Sequence, residues 1–177
     1  MSTFDYLAES ALTASDQFHS EMVDPEILNR VMVDCISSLQ ELDKLKKAFF
    51  YGKPYDIDEK YSQNLNHSCG ATYCDTDVVH GILGMATEAG ELLEALQATI
   101  FADQDLDLVN VFEEIGDSQW YEAMLLRKAG RTFDDVQRNN IDKLRKRFGQ
   151  KFTEYDAKNR DLDAERAILE AALTGNK

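Results

Sequence analysis

Seven acidic residues stand out in the middle of this sequence: Glu88, Glu91, Glu94, Glu113, Glu114, Asp117 and Glu122. Glu88 and Glu91 are three apart. On a helix that puts them about 60° around and about 4.5 Å along the axis, on one face. Glu114 and Asp117 repeat the spacing. If their two segments are antiparallel neighbours, four carboxylates converge on one spot. Two like charges about 4 Å apart repel by about 4 kcal/mol at an effective dielectric of 20. A fold stable by only about 5–15 kcal/mol cannot hold four such groups ionised and unpartnered. Residues 61–126 contain 12 acids and no Lys or Arg, so local ion pairs are not expected there. The acids then bind cations, share protons or point apart into solvent. All-oxygen ligation suits Mg²⁺ or Mn²⁺. The helical di-iron pattern needs Glu-x-x-His, and none of His19, His67 and His80 follows a Glu by three. The spacing of His67, Cys69, Cys74 and His80 fits no common zinc site. His80 reads as a satisfied core or surface imidazole. Trp120 and Tyr121 could stack on a base, although aromatics at helical spacing are ordinarily core.

The elements that would carry these residues are helices. Glycine and proline total 11 of 177 residues, few breakers for a chain of this length, and no alternating strand pattern occurs. A first helix is expected over 4–22. Asp24-Pro25 starts a second, running through Ile27, Val31, Ile36, Leu39, Leu42 and Leu45 to about Phe50 and stopping at Gly52. Residues 55–76 read as loop with room for a short turn of helix. Asp77 begins a helix to about Phe101. Asp107 caps the next, stopped by Gly130. Thr132 and Asp135 resemble a capping box for a helix to Phe148, and a last helix covers about 161–173. The expected fold is an all-α bundle of five or six helices, with an N-terminal helical segment over 1–76 and a core over 77–177. At an offset of 51, Val31–Phe50 echoes Ile82–Phe101, with Ser37 and Gln40 in the places of Glu88 and Glu91. Sliding amphipathic helices into phase explains that echo as well as a decayed duplication does.

The net charge of −14 comes from 19 basic and 33 acidic residues, unevenly placed. Residues 61–126 carry −12 and residues 127–166 carry +4. That balance argues against direct binding of nucleic acid or an anionic membrane surface. No apolar run is long enough to span a bilayer, and the N-terminus lacks the features of a secretory signal. With three cysteines read as reduced thiols, a cytoplasmic protein is expected.

The string GMATEAGELLEAL, then FEEIGDSQWYEAML, then NNIDKLRKRF, resembles the MazG-like all-α nucleoside triphosphate pyrophosphohydrolases, which share a fold with dimeric dUTPases. The resemblance covers about residues 78–170, and the tail NRDLDAERAIL is similar to that of phage-type members. It implies hydrolysis of a nucleoside or deoxynucleoside triphosphate to monophosphate and pyrophosphate. Glu88, Glu91, Glu114 and Asp117 would hold Mg²⁺ (or Mn²⁺), with Glu91 as general base. Asn140, Lys143, Arg147 and Arg160, with Arg145 as a further cation, would meet the phosphates, and Trp120 the base. A homo-oligomer is implied. The chain departs from the family in one respect: KKAFFYGKP, which ordinarily follows the ExxE helix, lies upstream at 46–54. Two other functions fit the composition: an acidic helical binding protein that mimics DNA, and a hydrolase of signalling nucleotides on the same scaffold.

Overall fold

The computed structural model describes residues 4–56, 58 and 74–174, and among them the regular structure is entirely helical. Among the described residues there are seven α-helices: α1 (Tyr6–Ala11), α2 (Pro25–Tyr51), α3 (Thr76–Phe101), α4 (Leu108–Ala129), α5 (Phe133–Phe148), α6 (Glu154–Lys158) and α7 (Leu162–Thr174). A 3₁₀ turn covers Ser20–Met22.

The long helices start where side-chain caps meet the free N–H groups of a first turn. Asp24 accepts from the N–H groups of Glu26 and Ile27, and Pro25 follows it. Asp75 and Asp107 do the same for α3 and α4. Thr132 and Asp135 form a reciprocal capping box on α5. Gly52 and Gly130 end α2 and α4 in the left-handed region, at φ 62° and 63°, where a Cβ would be strained.

Two differences from the sequence reading are local. The helix expected over 4–22 stops at Ala11. Thr13 Oγ1 bonds the Ser10 carbonyl, and Ser15 bonds the backbone of Gln17 in both directions, so side chains take backbone partners that a helix needs. Among the described residues the helices number seven rather than five or six, because α6 forms as a short separate element capped by Thr153. Of the quartet considered for zinc, His67 and Cys69 lie outside the described residues.

The chain divides into two compact units, Glu21–Gly130 and Met1–Ser20 with Arg131–Lys177. The boundary expected between 76 and 77 falls inside the first. In that unit α3 packs against both α2 and α4. Contacts run Asn29 to Gln97, Gln40 to Glu94 and Lys46 to Glu88, so α2 and α3 are antiparallel. A Cβ at Gly84 would lie 2.2 Å from the Tyr121 ring, so glycine is what lets α4 approach α3 this closely. In the other unit α5 packs against α7, α1 and α6. Ile141 and Phe148 form its buried core, Asn140 donates to the Tyr6 hydroxyl at 2.9 Å, and Arg145 pairs with Glu9 at 2.6 Å.

Candidate metal centre

Glu88 and Glu91 reach one spot because they sit one turn apart on α3, and Glu114 meets them from α4. One carboxylate oxygen from each of the three lies within 4.8 Å of the others. Glu88 and Glu114 are only 6% and 4% exposed, whereas Glu91 reaches solvent. Burial raises the Glu114 pKa to about 7, with contributions from a hydrogen bond to Glu88 and from the charges of Glu91, Glu88 and Asp117. A hydrogen bond between two carboxyl groups needs a proton on one of them. Glu91 is also raised, by burial first and then by Glu88 and Asp43. Asp117, the fourth expected ligand, is exposed on α4, close enough to act on Glu114 but outside the group of three.

No Lys or Arg stands within 61–126 to pair with these acids, but one from a distant segment reaches Glu88. Lys46, from α2, is 3% exposed. Its Nζ donates to Thr87 Oγ1 at 2.7 Å, Tyr121 OH at 3.2 Å and Glu88 Oε1 at 3.3 Å, and pairs with Asp43 at 3.1 Å. Burial disfavours its charge, but the bonds to Tyr121 and Asp43 and the charge of Glu88 carry its pKa above the ordinary lysine range. Local composition between 61 and 126 could not reveal this lysine, which is 42 positions from Glu88. A signal was present all the same. Met32, Ile36, Leu39, Asp43, Lys46 and Phe50 recur at the spacing of one helix face, and a charge on a core-facing stripe needs a buried partner.

Beside the carboxylates, α2 and α3 border a cleft of about 730 Å³, lined in part by Gln40, Asp43, Glu91, Glu94, Asp105 and Asn110. That volume is in the range of small-molecule sites. Tyr121 connects Lys46 to an aromatic cluster. His80 stacks on Phe50 at 3.8 Å and meets Tyr51, Trp120 and Tyr121 edge-on. Trp120 is 54% exposed. His80 is buried but not satisfied as expected, for its Nε2 has no hydrogen-bond partner. Burial, then Lys46, lowers its pKa.

The expected phosphate ligands lie on α5 and beyond, in the other unit. Arg147 Nε and Nη2 grip Glu165 at 2.8 and 2.6 Å, and Arg160 holds the same carboxylate at 3.3 and 2.8 Å. The two guanidiniums lower the Glu165 pKa to about 2. Glu165, which the sequence reading passed over, is therefore the residue that fixes both arginines. Lys143 is half-buried and, among the described residues, has no ion-pair partner.

Compared with known protein families, with curated proteins and with solved structures, the chain matches none. Among the described residues no helix is long and apolar enough to cross a membrane.

Proposed function

We propose that this chain is a metal-dependent nucleoside triphosphate pyrophosphohydrolase of the MazG-like, dimeric-dUTPase-like all-α type. The observation that carries the reading is the convergence of Glu88, Glu91 and Glu114 from two helices onto one spot. Hard carboxylate oxygens, two of the three side chains being buried, are the donor set for Mg²⁺ or Mn²⁺, and Asp117 adds a further negative charge felt by Glu114. A bound divalent ion supplies Lewis acidity toward phosphate oxygens and lowers the pKa of a coordinated water. Glu91 borders the cleft and has its pKa raised by burial, which suits it to take the proton of the attacking water. Water adds at the α-phosphorus, the α–β anhydride bond breaks, and pyrophosphate leaves with that electron pair. The resemblance assigns Asn140, Lys143 and Arg147 to the phosphates; Arg160 is added as a further cation of the same basic segment, and the exposed ring of Trp120 as a stacking surface for the base. The acidic cleft receives the nucleotide as its metal complex, not as the bare anion.

The same reading makes the protein a homo-oligomer. In the Glu21–Gly130 unit Ile27, Val31, Ile82, Val109 and Phe112 are all more than half exposed. A second copy that covers them removes this apolar surface from water.

The test is incubation of the full chain with Mg²⁺ and a panel of nucleotides, with products resolved by chromatography. Monophosphate plus pyrophosphate is expected. Stepwise orthophosphate release would favour a different hydrolase on this scaffold. No turnover with any divalent cation would favour the acidic binding protein.

A further inference from the structure

The proposed chemistry makes no use of Lys46, and the geometry shows what this residue cannot do. Its ammonium group has three protons. Four oxygens surround it, from Asp43, Thr87, Glu88 and Tyr121, at 2.7 to 3.3 Å. No donor is left for a phosphate, and at 3% exposure no ligand reaches it without displacing those partners.

Its surroundings are those of a cation. Three helices contribute an all-oxygen nest: Asp43 from α2, Thr87 and Glu88 from α3, Tyr121 from α4. Glu88 belongs both to this nest and to the carboxylate group with Glu91 and Glu114. Two-metal hydrolases place their ions about 3.5–4 Å apart, close enough for one carboxylate to touch both. Here Lys46 holds Oε1 of that carboxylate.

We propose that Lys46 takes the place of a second metal ion, so that the centre binds a single divalent cation per chain. The inference rests on the metal-dependent reading above. The charges agree with it. Glu88, Glu91, Glu114 and Asp117 bring four negative charges, and Asp43 of the nest a fifth, which Lys47 pairs from the solvent side. One divalent ion and the Lys46 ammonium then offset three of the remaining four. A second divalent ion would stand beside a fixed ammonium that already holds the shared carboxylate. Lys46 is thus a positioning residue. It fixes the Glu88 carboxylate before metal arrives, and it sets how many ions enter.

The experiment is calorimetric titration of the full chain with Mn²⁺, with free Mn²⁺ counted in parallel by electron paramagnetic resonance. One ion per chain is expected for the unaltered protein. Lys46→Ala removes the charge and opens the nest, so it is expected to bind two ions with a spin-coupled signal from the pair. Two ions in the unaltered protein would overturn the proposal, as would a single ion in a Lys46→Ala variant that keeps its helical circular dichroism. If that variant does not fold, the count in the unaltered protein decides the matter. No binding at all would instead sink the metal centre itself, and so separates that failure from failure of the one-ion proposal.

Discussion

Replacing Glu88 and replacing Glu114 should move stability in opposite directions. Glu88 is a counter-charge of a buried lysine, so Glu88→Gln weakens a charge-assisted bond to Lys46. We expect a loss of about 2 kcal/mol in urea unfolding of the metal-free protein. Glu114 has acids around it, and its pKa is raised to about 7, so its ionised form opposes folding at neutral pH. Glu114→Gln is expected to raise the metal-free melting temperature. Both variants should lose Mn²⁺ binding in calorimetry and turnover with Mg²⁺. A rise in stability for Glu88→Gln would mean that Lys46 is not its partner in solution.

The helices carry their own tests. Gly84 faces the Tyr121 ring so closely that an added Cβ pushes α3 from α4, whereas a Cβ at Gly116 meets nothing within 4 Å. Gly84→Ala should cost about 1–3 kcal/mol from overpacking. Gly116→Ala should gain about 0.5–1 kcal/mol from helix propensity. Urea denaturation of the metal-free protein measures both. α7 is held to α5 through Glu165, whose pKa falls from 4.5 to about 2 because Arg147 and Arg160 bind its charged form. A lowered carboxyl pKa adds stability that is complete above the unfolded value of 4.5 and is lost as the pH falls towards 2. Urea midpoints taken across that window should drop, and Glu165→Gln should flatten this part of the drop while lowering stability at neutral pH. The two helices of the 51-residue echo also meet in a telling place. Leu39 would touch a Cβ on Gly90, and these two positions are equivalent under the offset. The antiparallel pair therefore meets closely at one pair of matched positions.

Across the whole chain, charge is divided less sharply between the two units than between the sequence blocks. The Glu21–Gly130 unit holds 8 basic and 21 acidic residues, a net of −13, and the other unit nets −1. The basic arm is largely matched by its own acids. Arg145 pairs with Glu9, Arg138 with Asp134, Lys158 with Glu154, Arg166 with Glu170, and Arg147 and Arg160 share Glu165. An acidic unit with exposed apolar residues associates more readily when its charge is screened. We expect light scattering to give at least twice the mass of one chain, and Val109→Asp with Phe112→Asp to return it to one. A monomer in the unaltered protein at physiological salt would remove oligomerisation from the proposed function.

Spacing and punctuation determined much of this protein by themselves. Asp24, Asp107, the Thr132–Asp135 box and the stops at Gly52, Gly130 and Gly149 are decided by neighbours a few residues away, so the long helices were legible. Convergence of Glu88, Glu91 and Glu114 was legible too, because helical periodicity sets the face and a short connector makes α3 and α4 neighbours. Asp117 obeys the same periodicity yet stands outside the group of three, since spacing fixes a face and not the depth at which a side chain sits. The rest depended on register between segments far apart in the chain. Nothing local says that α2 lies antiparallel on α3 with Leu39 at Gly90, and only that alignment carries Lys46 to Glu88. Nothing local says that Glu165 will gather Arg147 and Arg160. Hydrogen-bonded turns and caps are short-range and are written in adjacent residues. Pairing of buried charges depends on which faces pack, and the tertiary structure alone decides that.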